Sequence, residues 1–204
     1  MKLELIVATK NKKKLEEIEH ILKGLNVEIS SLADYPAAPR IIENGRTFKE
    51  NAVKKAVKIA RFTKRLSLGE DSGLCVDALA GRPGIYSSRF SGKDKSDIKN
   101  NLKLLNLLGN LPLSKRKAYY VCAVALADND GLIGVVEGKC FGRIGFEQKG
   151  SFGFGYDPLF IIPGYKKTFA QLAPRVKHKI SHRFRALEKT RKLLQKYIEQ
   201  YGSS

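Results

Sequence analysis

One stretch of this chain is hard to place in an ordinary apolar core: Gly69-Glu70-Asp71-Ser72-Gly73-Leu74-Cys75-Val76-Asp77, running on into Ala78-Leu79-Ala80-Gly81-Arg82-Pro83-Gly84-Ile85-Tyr86-Ser87. Two adjacent carboxylates stand between glycines, one short apolar run follows, and glycine and proline then punctuate a loop. Neighbouring negative charges removed from water are costly unless a positive group offsets them. A hard divalent cation would do so. Mg2+ takes oxygen ligands and usually reaches a protein through one or two carboxylates plus substrate phosphates. Asp71 is the candidate ligand and could also orient a water as a base. Glu43, in the loop ahead of Thr47, could add a second carboxylate. The plainer alternative for Asp71 is a turn residue that accepts backbone N–H groups, since Asp-Ser-Gly is good turn chemistry.

The acidic island stands out because the chain around it is basic. Lys and Arg number 38 against 20 Asp and Glu, a net charge of +18 over 204 residues, and positions 161–204 alone hold 11 Lys/Arg against 2 Glu. Such a surplus bears on partners and solubility, not on fold. It could serve nucleic acid, a phosphorylated small molecule, or solvation alone. No apolar run approaches the length of a membrane span, so no membrane partner is expected. Met1-Lys2-Leu3-Glu4-Leu5-Ile6-Val7-Ala8 looks like a first strand, not a signal peptide. Cys75, Cys122 and Cys140 are odd in number, dispersed and without metal-ligand spacing, which points to a reducing, cytoplasmic setting.

The length predicts one domain or two closely packed lobes. Leu3 to Ala8 predicts a buried strand, and Leu15, Ile18, Leu22 and Leu25 a helix ending near Gly24. Val27 to Ser30 predicts a second strand. Thr47-Phe48-Lys49-Glu50 has the capping-box pattern and opens a helix with Phe48, Ala52, Val53, Ala56, Val57 and Ala60 on one face. Leu74 to Leu79 is strand-like, and Ile98, Leu102, Leu105 and Leu108 mark a third helix. Tyr119 to Ala127 and Leu132 to Lys139 predict strands joined across Asp128-Asn129-Asp130-Gly131, with Cys140 to Phe146 continuing the sheet. Ser181 is the expected N-cap of a last helix that turns Phe184, Leu187, Leu194 and Ile198 inward. Early βα units followed by a β-rich middle make an α/β or α+β architecture with an antiparallel section.

Ala8-Thr9-Lys10-Asn11-Lys12-Lys13-Lys14 joins the first strand to the first helix. A helix N-terminus favours anions, so lysines in its first turn are unfavourable unless an anion offsets them. A triphosphate would, with Asn11 and Thr9 donating to its oxygens and Lys14 reaching over them. The alternative makes Asn11 an N-cap, turns the lysines to water and pairs Lys13 or Lys14 with Glu17. The spacing is not that of a Walker A loop. Farther on, Gly150-Ser151-Phe152-Gly153-Phe154-Gly155-Tyr156-Asp157-Pro158 alternates glycine with aromatics. Glycines let a ligand approach the backbone and aromatics offer flat faces to a base; a tight bend with Phe152 and Phe154 in the core fits equally well. Lys177-His178-Lys179-Ile180-Ser181-His182-Arg183 gathers donors at the start of the last helix.

Six of these segments, in order along nearly the whole chain, resemble the inosine triphosphate pyrophosphatase (Ham1-like) family. They are Ala8–Glu17, Thr47–Ala56, Glu70–Leu74, Gly81–Gly92, Phe154–Pro158 and Ser181–Arg183. The resemblance implies an α/β fold in which a long mixed β-sheet separates two lobes, helices packed on it and an active-site cleft between the lobes, with residues 1–204 as a single domain. It implies Mg2+-assisted hydrolysis of ITP, dITP and XTP to the monophosphate and pyrophosphate, by a homodimer with no stable nucleic-acid complex. Carried over by position, Thr9, Lys10, Asn11, Lys12, Lys13, Lys14 and Lys55 would hold the phosphates. Asp71 would be the catalytic residue and a metal ligand, with Glu43 the second ligand. Ser72, Phe154, Gly155, Tyr156, Asp157, Lys177, His182 and Arg183 would contact substrate. The chain departs from the family pattern at Lys10, where glycine is common, at Gln171, where an acid is frequent, and at Pro174-Arg175-Val176, which replaces an acidic stretch. Two rivals remain at this level: a nucleic-acid-binding protein using the basic C-terminal region, and a pyrophosphatase for modified pyrimidine or methylated guanine nucleotides.

Overall fold

A computed structural model of the chain describes residues 2–201. Its strands are β1 (Leu3–Val7), β2 (Val27–Ser31), β3 (Leu66–Val76), β4 (Lys117–Ala127), β5 (Leu132–Ile144), β6 (Phe160–Ile162) and β7 (Lys167–Thr168). They form one seven-stranded sheet in the order β2-β1-β3-β4-β5-β6-β7. Around it pack α1 (Lys12–Leu22), α2 (Phe48–Thr63), α3 (Asp97–Leu108), α4 (Pro174–Ile180) and α5 (His182–Tyr201). The sheet is mixed. β1 runs parallel to β2, with Leu5 opposite Ile29, and parallel to β3, with Val7 opposite Leu68. β6 is antiparallel to both β5 and β7. Parallel neighbours need a crossover, and α1 and α2 supply those on either side of β1. Among the described residues, no helix is long and apolar enough to cross a membrane.

The chain divides into two compact units: residues 1–71, 122–138 and 183–204, and residues 72–121 and 139–182. Each has its own core. In the first, Leu5, Val7, Leu68 and Val124 from the strands meet Ile18 and Leu22 of α1 and Leu187 and Leu194 of α5. Alanines of α2 (Ala52, Ala56, Ala60) lie on alanines of β4 (Ala123, Ala125, Ala127), which lets that helix approach the sheet closely. In the second, Leu74 and Val76 meet Leu104 and Leu108 of α3 and the rings of Tyr120, Phe160 and Phe169.

Most predicted elements are present. Thr47 caps α2 by accepting from Glu50 N at 3.1 Å, while the Glu50 carboxylate reaches one residue further back, to Arg46 N at 2.8 Å. The hairpin closes through Asp128 N to Gly131 O at 2.9 Å. Three features go beyond the local patterns. The acidic island is not a loop: β3 runs straight through Gly69-Glu70-Asp71-Ser72-Gly73 and ends at Val76, with Leu79 in a following 3-10 turn. Helix α3, present as expected, buries Asn100, Asn101, Leu104 and Leu108 and leaves Ile98 and Leu102 exposed. A short helix, α4, begins at Pro174, where proline's missing N–H costs nothing in the first turn.

Candidate functional site

In the first unit the chemistry is centred on β3. Successive strand residues point to opposite faces, so Glu70 and Asp71 meet different partners. Asp71 faces α2, where Asn51 and Lys55 lie four residues apart on one helix face. Asn51 Nδ2 donates to Asp71 Oδ2 at 3.1 Å, and Lys55 Nζ donates to Asp71 Oδ1 at 3.1 Å. Lys55 Nζ also lies 3.1 Å from Glu43 Oε2 and 3.1 Å from the Glu70 carbonyl. The segment carrying Glu43 is held by Gly45 N, which donates to Asn51 Oδ1 at 2.8 Å. The close approach of α2 depends on Gly69, where a Cβ would meet Ala52 O at 2.2 Å and Ala56 N at 2.5 Å.

Asp71 and Lys55 are both buried. Burial raises the Asp71 pKa against the opposing pull of Lys55, Lys14 and the Asn51 amide. Burial disfavours the Lys55 charge, but Asp71, Glu43 and Glu70 together outweigh it and raise that pKa. Lys55 is thus held by two carboxylates and a backbone carbonyl.

Glu70 faces the other way. Its Oε1 accepts from Arg183 Nη2 at 3.1 Å and lies 3.3 Å from the Cys122 thiol, while Oε2 is 2.7 Å from Lys14 Nζ. Arg183 also donates to Glu17, so one guanidinium joins α1, β3 and the first turn of α5. Burial works against the Arg183 charge, yet Glu70 and Glu17 hold its pKa above the ordinary value.

The turn before α1 is exposed at Lys10, Asn11, Lys12 and Lys13, and half-buried at Thr9 and Lys14. Asn11 caps the helix by accepting from Lys14 N at 3.2 Å, and Thr9 Oγ1 accepts from Asn11 N at 3.1 Å. No acidic residue occupies the first turn of α1. Lys14 folds back to Glu70, and Glu17 takes Arg183, instead of the two pairing one turn apart.

In the second unit Asp157 is the hub. Its Oδ2 accepts from Phe154 N at 3.0 Å and from Lys177 Nζ at 2.7 Å, and its Oδ1 lies 3.5 Å from the Tyr120 hydroxyl. A Cβ at Gly153 would lie 2.0 Å from Asp157 Oδ2, so that position requires glycine. Lys177 Nζ sits 4.7 Å from the Phe154 ring centroid. His182 stacks on Tyr120, with centroids 4.6 Å apart and planes at 10°. Tyr156 donates its hydroxyl to Ser87 O at 2.8 Å.

The residues expected at the site therefore fall into sets. Lys14, Lys55, Glu43, Asp71 and Arg183 meet around Glu70 in the first unit. Phe154, Gly155, Tyr156, Asp157, Lys177 and His182 belong to the second. Thr9, Lys10, Asn11, Lys12 and Lys13 form the exposed turn into α1, and Ser72 is half-buried on β3. Sequence reasoning missed Asn51 and Glu17, both buried polar residues on apolar helix faces, and that pattern was the available signal. Arg183, expected to meet substrate, has its guanidinium tied to the Glu17 and Glu70 carboxylates.

The Ham1 family profile matches residues 5–193. The chain is 47% identical to the dITP/XTP pyrophosphatase of Desulforamulus reducens, covering 97% of this chain and 99% of that protein. It is 48% identical to the dITP/XTP pyrophosphatase of Halalkalibacterium halodurans, covering 94% and 98% respectively. Among solved structures, a Ham1 protein from Coxiella burnetii superposes with a TM-score of 0.88 at 36% identity, covering 95% of this chain and 99% of that one. The Staphylococcus aureus Ham1 protein gives a TM-score of 0.86 at 36% identity, with the same coverage of each chain.

Proposed function

The chain belongs to the Ham1 family, and from that footing we propose that it hydrolyses the non-standard purine nucleotides dITP, XTP and ITP to the monophosphate and pyrophosphate. The observation that carries this is the arrangement around β3: buried Asp71 beside Lys55 and Glu43, with Lys14 on the neighbouring Glu70. Such a cluster is built to handle oxyanions and a cation together.

Asp71 and Glu43 would hold Mg2+. Their donor set is all oxygen, as a hard ion requires, and both carboxylates already lie 3.1 Å from one cationic nitrogen. Among the described residues no group of three or more His, Cys, Asp or Glu could hold a metal. An ion that keeps several waters and binds partly through substrate phosphates needs no such group. When bound, the ion polarises phosphate oxygens as a Lewis acid. Asp71 accepts the proton of the water that attacks the α-phosphorus. Lys55, Lys14 and the Lys10 to Lys13 turn offset the charge that moves onto the leaving pyrophosphate.

The nucleobase falls to Phe154 to Asp157, Lys177 and His182. Hypoxanthine and xanthine present a keto acceptor at position 6 where adenine presents a donor. Donors from Lys177 and His182 are satisfied by the first two and left unpaired by the third. We read residues 1–204 as one functional domain, since both units are assembled from segments that alternate along the chain. Three buried free cysteines support a reducing, cytoplasmic setting, and a homodimer with no stable nucleic-acid complex completes the proposal.

The test is a panel of nucleoside triphosphates with and without Mg2+, scored for pyrophosphate release. Turnover of dITP, XTP and ITP far above dATP and dGTP is expected. Preference for modified pyrimidines or methylated guanine, or polymer binding without turnover, would replace the proposal.

A further inference from the structure

Gly155 lies inside the loop assigned to the nucleobase, at φ +64°, in the left-handed region that glycine tolerates. Both polar groups of its backbone are taken by a single helix. Asp97 Oδ2 accepts from Gly155 N at 2.8 Å, and Asn101 Nδ2 donates to Gly155 O at 3.0 Å. Asp97 and Asn101 are four residues apart on α3 and share a face. The two bonds hold two different peptide units: the one joining Phe154 to Gly155 and the one joining Gly155 to Tyr156. Fixing both planes fixes where the Phe154 ring and the Asp157 carboxylate are presented.

The composition of α3 supports the assignment. The helix exposes Ile98 and Leu102, 68% and 50% accessible, while burying Asn100 and Asn101 at 2% each. Packing alone would favour the opposite choice, because burying apolar side chains stabilises and burying amides does so only when their hydrogen bonds are met. The buried amides act as clamps. Asn100 Oδ1 accepts from Ser91 N at 2.7 Å, and its Nδ2 donates to Ser88 O at 3.2 Å. Asn101 Nδ2 also lies 3.3 Å from Gln148 Oε1. Burial and then the Asp97 carboxylate raise the Tyr156 phenol pKa, placing Asp97 close to the next loop residue as well.

We propose that Asp97 and Asn101 are positioning residues of the nucleobase pocket, governing base discrimination through Gly155 without touching substrate. This rests on the assignment of Phe154 to Asp157 to the base. Loss of either bond frees a glycine that has many backbone alternatives. The effect falls on base affinity and selectivity, and not on the phosphate chemistry carried by Lys14, Lys55 and Asp71.

The experiment compares Asp97→Ala, Asp97→Asn and Asn101→Asp with wild type. Asp97→Asn keeps an acceptor oxygen for Gly155 N; Asn101→Asp places an acceptor against the Gly155 carbonyl. Asp97→Ala and Asn101→Asp should raise KM for dITP and XTP roughly tenfold, with kcat within about threefold, and narrow the dITP-to-dGTP ratio of kcat/KM by about tenfold. Asp97→Asn should recover most of this. Inhibition by inorganic tripolyphosphate should not move, and amide exchange at Gly155 should quicken at least about tenfold in Asp97→Ala. Folded variants with unchanged KM and selectivity would overturn the proposal. So would a parallel loss of kcat, KM and tripolyphosphate inhibition, which is the mark of general loosening. Should Asn101→Asp not fold, the Asp97 pair carries the test. A wild-type enzyme inactive on dITP would instead remove the proposed function, and Gly155 exchange would still decide whether Asp97 holds that peptide.

Discussion

Replacing Arg183 by Met takes one buried cation away from two buried carboxylates. Arg183 is 1% accessible, Glu70 4% and Glu17 9%, so water cannot stand in for the guanidinium. Lys14 remains on Glu70 at 2.7 Å and offsets part of that charge, while Glu17 loses its ion pair with Arg183. Breaking a buried pair by removing one partner costs about 3–5 kcal/mol, because the remaining charge is left in a poorly solvated place. With a urea m-value of about 2.5 kcal/mol/M for a chain of this size, the midpoint should fall by about 1.5 M. Arg183→Lys keeps a charge but loses the planar fork whose two nitrogens reach Glu17 and Glu70 separately, and should lie between. The origin of the loss is separable from lost packing. In Glu17→Met/Glu70→Met/Arg183→Met the three buried charges are gone and Lys14, which is half-buried, is free to turn to water, so most of the stability should return. Urea unfolding followed by far-UV circular dichroism measures all three variants. The uncompensated-charge explanation fails if the Arg183→Met midpoint shifts by less than about 0.4 M, equivalent to about 1 kcal/mol. A triple variant as unstable as the single one would refute it too.

Gly69→Ala should cost at least about 3 kcal/mol, lowering Tm by about 6–12 °C in calorimetry, since its Cβ would strike the α2 backbone at 2.2 Å from Ala52 O. A Tm within about 2 °C of wild type would mean that α2 does not approach β3 so closely. At high pH the fold should weaken through Tyr197, whose phenol is pushed up to about 12 by burial, the hydrogen bond to Asp128 and that residue's charge. An unfolded tyrosine ionises near 10, so this contribution is intact below about pH 10 and is lost as pH rises through 12. Tyr197→Phe should show a shallower decline over that window in pH-dependent urea midpoints, and an identical slope would remove Tyr197 from the effect.

Local patterns in the sequence were sufficient where one segment decides its own structure. The strand at Leu3–Val7, the Thr47 cap and the Asp128–Gly131 turn depend on neighbours within a few residues. They failed where distant partners decide. Gly-Glu-Asp-Ser-Gly has turn composition, and becomes strand because Lys55, Lys14 and Arg183 neutralise its carboxylates. Glu17 reads in the sequence as a surface partner for a lysine one turn away, yet it is buried and binds Arg183, 166 residues along the chain. The leucine spacing marks α3 but not its buried face: that spacing is visible in a window, whereas the backbone groups that Asn100 and Asn101 satisfy are not. For the candidate site, the residue types were legible and their pairings were not.

If Asp71 carries the hydrolytic step on dITP and XTP, Asp71→Asn should stop turnover while sparing binding. Pyrophosphate release and calorimetric binding of dITP are measured side by side with Mg2+ present. In Asp71→Asn, kcat should be lower by at least about a thousandfold, with the dissociation constant within about threefold of wild type. Turnover within about tenfold of wild type would contradict this role of Asp71, whatever the binding shows.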